Sequence, residues 1–398
     1  MVIADEIRRG MEDSSWIRRM FELGIELRQE RGAENVFDLS LGNPITEPPP
    51  EFFDELRRFA SADHPGAHRY MPNPGYVETR QAVADALSDE TGLSYGANEI
   101  VMTVGAAAGL NVIIHSLCNR GDEVVILAPY FGEYFFYATN HGATPVVVGC
   151  DDEFIPDLAE LESSLSSRTR LVIVNSPNNP SGAMYPASFI DDLARLLEAK
   201  SAEFGTDIFL VSDEPYRKIL FDEHVYPFPQ LSYQRTLTVT SHAKDLALPG
   251  ERIGYIAVHP EYAATDGGVE LLDAMIFCNR VLGFVNAPAI MQHVVRHLQS
   301  VTIDTSDYRS KRDYLYDVLT SAGYEVRKPE GAFYMFPRSP VPDELELVAA
   351  LQRHGVLVVP GRGFGMPGYF RISYCVEQRE LEGAAPGFAA AISELTGR

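Results

Sequence analysis

The chain has 398 residues, which at about 150 residues per domain points to two or three domains. A composition of 45% hydrophobic and 22% charged residues is that of a globular protein and excludes a disordered or fibrous chain. With 33 Lys and Arg against 56 Asp and Glu, the formal net charge is −23, which disfavours non-specific nucleic-acid binding and anionic membrane surfaces.

In chain order, residues 1–31 read as one amphipathic helix, with Ile17, Met20, Phe21, Gly24, Ile25 and Leu27 near helical spacing between charged residues. Residues 36–44 follow as a short strand closed by Gly-Asn-Pro, and the proline-rich stretch Pro44–Pro50 reads as a connector between two bodies. From about 75 to 260, short β-branched runs alternate with helical segments. The runs include Ile100–Val104, Glu123–Leu127, Pro145–Val148, Leu171–Asn175, Ile208–Ser212, Leu237–Ser241 and Gly254–Val258. This alternation predicts an α/β protein with a mostly parallel, buried sheet flanked by helices. The last part predicts a helix through 287–321, strands at 324–327 and 332–336, a helix at 343–354, strands at 356–359 and 369–373, and a closing helix. That rhythm suits a smaller α+β domain.

No apolar run approaches the ~20 residues of a membrane span. The first ten residues are charged and lack a signal-peptide core, so a soluble, cytoplasmic protein is expected. The cysteines Cys118, Cys150, Cys278 and Cys375 show no paired spacing, which fits reduced thiols.

Open α/β folds bind ligands at the carboxyl ends of their strands. Four such ends carry small or polar groups: Thr103-Val-Gly-Ala-Ala-Ala-Gly109, Asn175-Ser-Pro-Asn-Asn-Pro-Ser-Gly182, Ser212-Asp-Glu-Pro-Tyr216 and Ser241-His-Ala-Lys244. Gly105–Gly109 lets a backbone approach a ligand and leaves helix N–H groups for an anion, although tight helix–strand packing would look the same. No nucleotide-binding fingerprint of either Gly-rich type is present. Ser241-x-x-Lys244, with Arg252 eight residues on, is the strongest signal. A lysine just past a buried strand is ill placed for a solvated charge, and desolvation can make it nucleophilic toward a carbonyl. Lys200, Lys311 and Lys328 suit snorkelling surface positions better.

Asn-Pro-Ser-Gly, Asp-x-x-Tyr and Ser-x-x-Lys-(x7)-Arg, in this order, resemble class I/II pyridoxal-phosphate-dependent aminotransferases of the aspartate aminotransferase fold. The resemblance extends to Arg69-Tyr70-(x4)-Gly75, Pro129-Tyr-Phe131 and Phe370-Arg371-Ile-Ser373, and covers about residues 35–390. It implies a large pyridoxal 5'-phosphate domain over 45–287 and a small domain from 1–44 and 288–398, in a homodimer with shared active sites. The implied activity moves the amino group of an L-amino acid, with aspartate a candidate, to a 2-oxo acid such as 2-oxoglutarate. A carbon–sulfur lyase or decarboxylase of the same fold is the alternative reaction. An effector-binding half of a regulator would need a DNA-binding segment, which residues 1–35 do not supply.

By the same resemblance, Lys244 forms a Schiff base with the cofactor and moves the substrate proton. Asp213 holds the pyridine nitrogen. Tyr216 and Asn179 bond the ring's phenolic oxygen, and Phe131 stacks on the ring. Gly105, Ala106, Ala107, Ser241 and Arg252 bind the phosphate, with Tyr70 added from the neighbouring subunit. Gly42, Asn179 and Arg371 meet the substrate, Arg371 clamping its α-carboxylate through a bidentate pair. Arg280, in Asn279-Arg280-(x5)-Asn286-Ala-Pro288, lies where aspartate-type relatives place a side-chain-reading arginine, one residue out of their spacing. Two further departures are Ser176 in place of a proline and Phe131 in place of a tryptophan. His293 and His297 share the i, i+4 spacing of zinc ligands but lack a third ligand, and no metal is expected. Gly361–Gly368 reads as a turn that positions Arg371. Asp213 and Glu214, as strand neighbours, point to opposite faces.

Overall fold

The computed structural model describes residues 2–13 and 16–397. Its centre is a seven-stranded sheet. In spatial order the strands are Ile100–Thr103, Gly254–Val258, Thr236–Ser241, Phe209–Asp213, Thr169–Asn175, Glu123–Leu127 and Thr144–Val148. Only Gly254–Val258 runs against its two neighbours. The other six therefore all point the same way, and the chain ends after Thr103, Asn175, Asp213 and Ser241 fall along one edge.

Both faces of the sheet are covered, which is why its central strands are apolar without alternation. Helices Gly105–Leu117, Glu133–Asn140 and Asp266–Val281 pack one face around Val112, Ile126, Ile173, Val239 and Met275. Helix Ala187–Phe204 covers the other, against Val125, Val172 and Leu210.

The chain ends build a separate layer. Phe37–Asp38 pairs in parallel with Val356–Leu357, and Tyr334–Met335, Phe370–Ser373 and Val359–Pro360 form a small antiparallel sheet. Helices Ser306–Ala322, Glu344–Arg353 and Gln378–Thr396 pack on it. Its core includes Phe333, Leu347, Phe370 and Phe388 and is continuous with Tyr216 and Ile219 of the large sheet's edge.

Several boundaries differ from the sequence expectation. The first helix is two, Asp5–Asp13 and Trp16–Arg31, with residues 14 and 15 outside the described residues, as are the side-chain positions of Ile17 and Phe21. Met20 and Leu27 are buried as expected. The run after the connector, Pro50–Ala60, is a helix, started by a proline whose fixed φ suits the first turn. The expected helix over 287–321 is broken into Ala289–Val295 and Ser306–Ala322. The break lets Ile303 N–H and Thr302 Oγ1 donate to the Asp245 carbonyl, at 2.8 and 3.1 Å, directly behind Lys244. Residues 324–327 form no strand, and at 332–336 only Tyr334–Met335 joins a ladder.

Candidate active site

The strand ends open into a cavity of about 300 Å³ lined by Gly42, Ala106, Ala107, Phe131, Asn179, Asp213, Tyr216, Ser241, Lys244, Arg252 and Arg371. At one end sits the helix Gly105–Leu117. Gly105 opens it at φ +77°, and a Cβ there would stand 2.9 Å from an Arg252 terminal nitrogen. Gly109, at the other end of the motif, lies on the sheet, where a Cβ would stand 2.5 Å from Val239. The two glycines thus serve close packing and leave the first helical turn bare beside Ser241 and Arg252. Helix N–H groups, a hydroxyl and a guanidinium together can hold a phosphate. Arg252 is held with φ +51° and donates to the Pro249 carbonyl at 3.0 Å.

Asp213 is buried at the end of its strand. Tyr134 donates to its Oδ2, while Oδ1 has no hydrogen-bond partner. Burial pushes this carboxyl up to about 7, against the Tyr134 hydrogen bond and with a further rise from Glu214. A buried acid with one orphan oxygen facing a cavity is matched by a cationic N–H donor. Glu214 faces away, as strand geometry requires, and is bonded by Ser212 at 2.7 Å and Arg217 at 3.3 Å. Asn175 links the strand ends, donating to the Asp213 carbonyl at 3.0 Å and accepting from Asn179 N–H at 2.8 Å.

Lys244 Nζ donates to the Gly42 carbonyl at 2.7 Å and lies 5.2 Å from the Phe333 ring centre. Burial pulls this amine down to about 8, helped by Arg371 and Arg252 and opposed by Cys375. A neutral, nucleophilic amine is thus within reach near neutral pH. Gly42 owes its identity to Tyr334: a Cβ would stand 1.9 Å from that hydroxyl. The same hydroxyl sits 3.0 Å from that of Tyr216.

Arg371 is only 2% exposed. Its two terminal nitrogens donate to Asn179 Oδ1 at 3.0 Å and the Ser40 carbonyl at 2.5 Å, while Nε has no partner. The guanidinium lies between the rings of Tyr334 and Phe364, 4.7 Å from each centre. The loop 361–365 supplies Phe364, so this turn does position Arg371, as its sequence suggested. A flat, preoriented guanidinium of this kind suits a carboxylate.

Two expected residues are elsewhere. Tyr70 is 92% exposed and, with His68, Arg69 and Phe284, borders a second, shallower depression. Arg280 is exposed on the helix Asp266–Val281. Neither lines the Lys244 cavity of its own chain. His293 stacks on Phe59 and lies tilted against Tyr76, and no metal-binding cluster occurs among the described residues. Ser176, which replaces a proline, uses its hydroxyl to accept from Tyr185 N–H at 3.0 Å.

Sequence reasoning missed Glu133, Tyr134, Tyr137 and Tyr334 in the cavity wall. Tyr134 had a signal, standing three residues after Phe131 at a helix start. Tyr334 comes from a strand far along the chain and had none.

Residues 34–387 match the family model of aminotransferase class I and II. The chain is 33% identical over 370 residues to the aspartate/prephenate aminotransferase of Thermus thermophilus, covering 92% of each chain. It is 30% identical to the aspartate aminotransferase of Pyrococcus horikoshii, again covering 92% of each. Among solved structures, an amino transferase from Eubacterium rectale superposes with a TM-score of 0.95 at 38% identity over 100% of both chains. The Thermus thermophilus aspartate aminotransferase with maleate gives 0.84 at 30% identity over 95% of this chain and 97% of that one. Matched by the family model over residues 34–387 and by these relatives over nearly its whole length, the chain belongs to the class I and II aminotransferases, enzymes that use pyridoxal phosphate.

Proposed function

We propose that the Lys244 cavity transfers the amino group of an L-amino acid to a 2-oxo acid such as 2-oxoglutarate. One observation carries the reading: an orphan carboxylate oxygen on Asp213, a depressed lysine amine and an aromatic-caged arginine face a single cavity. The residues present fit pyridoxal phosphate. Asp213 Oδ1 lacks the cationic N–H that a pyridinium would bring, and the bare helix start beside Ser241 and Arg252 offers an anion seat.

Bound there, the cofactor supplies a carbonyl for amines and a ring that accepts the electrons of a substrate carbanion. Asp213 would keep the ring nitrogen protonated, Tyr216 and Asn179 would bond the phenolic oxygen, and Phe131 would pack on the ring. Ser241, Arg252 and the N–H groups of Gly105, Ala106 and Ala107 would hold the phosphate. Arg371 fixes the substrate α-carboxylate. Lys244, its amine neutral, takes the proton from the substrate Cα and returns it, and the Gly42 carbonyl aims Nζ meanwhile. Tyr70 and Arg280 act in this reading from the neighbouring subunit of a homodimer, which explains why both are exposed in one chain.

The division into 45–287 and the combined ends 1–44 and 288–398 belongs to the same proposal. It is supported by the large sheet lying within the first part and both small sheets within the second. We also propose a cytoplasmic enzyme. All four cysteines are free, and among the described residues no helix is long and apolar enough to cross a membrane.

Borohydride treatment of the holoenzyme followed by peptide mapping tests the site, and a donor screen with 2-oxoglutarate, read as glutamate formed, tests the reaction. Label on Lys244 and donor-dependent glutamate are expected. Label on Lys218, or release of ammonia and pyruvate without an acceptor, overturns the proposal.

A further inference from the structure

Tyr334 belongs to no step of the proposed reaction, yet it touches three groups that do. Its two-residue strand Tyr334–Met335 runs antiparallel to Phe370–Ser373, with Tyr334 opposite Ser373. Arg371, two residues from Ser373, therefore shares a face of this small sheet with Tyr334. Arg371 Cζ lies 4.7 Å from the Tyr334 ring centre, and the Tyr334 hydroxyl lies 3.0 Å from that of Tyr216. The third contact is with Gly42, where a Cβ would stand 1.9 Å from the same hydroxyl.

Proton accounting gives the hydroxyl pair a direction. Tyr216 and Tyr334 are both buried, and burial pushes both hydroxyls up, so each keeps its proton near neutral pH. Among the described residues, neither hydroxyl has another hydrogen-bond partner. One proton therefore bridges the two oxygens and the other is left over. If Tyr216 donated, the spare proton would be that of Tyr334, whose hydroxyl is backed by the Gly42 α-carbon. If Tyr334 donates, the spare proton is that of Tyr216 and is free for an acceptor in the cavity. The second arrangement leaves no donor stranded once the cavity is filled. The Tyr216 ring is held for this task, edge-on to Phe333 and to Tyr334 at 5.4 and 5.7 Å between centres.

We propose that Tyr334 is a positioning residue with two separable duties. Its hydroxyl donates to Tyr216 and so aims the Tyr216 proton at the cofactor's phenolic oxygen, while its ring keeps Arg371 flat for carboxylates. The inference rests on the reading that Tyr216 bonds that oxygen. A hydroxyl that accepts one hydrogen bond donates a stronger one, so loss of the Tyr334 hydroxyl weakens the Tyr216 bond and leaves the Arg371 cage intact. Loss of the ring uncovers one face of Arg371 instead. Amino donors and 2-oxoglutarate both bring a carboxylate to Arg371, so this second loss falls on them alike.

The test compares wild type with Tyr334→Phe, Tyr334→Leu, Tyr216→Phe and the double variant Tyr216→Phe/Tyr334→Phe. Three quantities are read: the cofactor Kd, the pH midpoint of the bound cofactor's absorbance, and KM for one donor and for 2-oxoglutarate. Tyr334→Phe should weaken cofactor binding about fivefold and move the midpoint up by about half a unit, with both KM values within about threefold. The midpoint rises because weaker donation leaves more negative charge on the phenolic oxygen, and the cofactor then keeps its proton to higher pH. In the Tyr216→Phe background, the same change should alter cofactor Kd by less than about twofold. Tyr334→Leu should raise both KM values about tenfold. Equal weakening of cofactor binding in both backgrounds overturns the proposal. So does a Tyr334→Phe enzyme that binds cofactor like wild type, or one whose KM values rise as far as those of Tyr334→Leu. If Tyr334→Leu fails to fold, the cycle of Tyr216→Phe and Tyr334→Phe decides. If Tyr216→Phe itself changes neither cofactor Kd nor the midpoint, the underlying reading fails and the proposal with it.

Discussion

Replacing Asp213 with Asn should have opposite effects on the empty and the loaded protein. In the empty site the carboxylate is a burden. Its rise from the usual 3.8 to about 7 corresponds to about 4 kcal/mol of folding free energy lost to holding a buried negative charge. The folded pKa is raised, so the folded state binds the extra proton between these values. The burden is full above pH 7 and disappears as pH falls toward 3.8. Asn keeps the Tyr134 hydrogen bond and removes the charge, so cofactor-free Asp213→Asn should melt higher than cofactor-free wild type at pH 8. The gap should close on acidification toward pH 4. With cofactor bound the order reverses. Removing one member of a buried, hydrogen-bonded charge pair costs about 3–5 kcal/mol, and expressed at the proton-transfer step this is roughly 10²–10⁴-fold in rate. Melting curves of both forms at pH 5 and 8, with single-turnover rates on one donor, make the check. A loaded variant within tenfold of wild type, or an empty variant that melts lower at pH 8, refutes the reasoning.

Capture of added cofactor by the empty enzyme requires a neutral Lys244. Its rate should rise with pH through about 8, and a midpoint near the usual lysine value would contradict the burial argument. Arg371→Lys keeps a charge but loses the two-pronged geometry between Tyr334 and Phe364, and should lower kcat/KM about 10²-fold for every donor alike. Loss for only one donor would show that Arg371 reads a side chain. Arg280→Ala should reduce aspartate and glutamate turnover selectively if that arginine reaches a neighbour's substrate. Equal loss for all donors would mark it as structural, and no loss would remove it from the site.

The sheet was legible because its central strands are buried on both faces and interrupted by helices, so β-branched runs stand out without any need for alternation. The convergence of Ala106, Asn179, Asp213, Ser241 and Lys244 on one cavity was legible for a related reason: parallel strands deliver their carboxyl ends to one edge. What could not be read depends on contacts between distant segments. Tyr334 reaches Gly42 and Arg371 from a two-residue strand, and Phe364 reaches Arg371 from a turn. Local patterns carry no trace of such pairings. The break at 296–305 was hidden too, because the apolar run Val294, Val295 and Leu298 continues a helical rhythm. The hydrogen bonds that end the helix go to Asp245, far back in the chain.

The placement of charge explains how so acidic a chain can hold a phosphate and a carboxylate. A net charge of −23 acts on a distant anion, but at physiological salt such fields fade over about 8 Å. At contact distance the cavity's own groups prevail, and the buried ones are screened least. Arg371, between two rings, and Lys244, against the Gly42 carbonyl, are withdrawn from solvent, whereas most acidic residues face it. Asp213 and Glu133 are the acids that share the cavity with those cations. Burial raises both carboxyls, Asp213 up to about 7, which weakens their charge beside those cations near neutral pH, and the acidic surface outside bears on the cavity little.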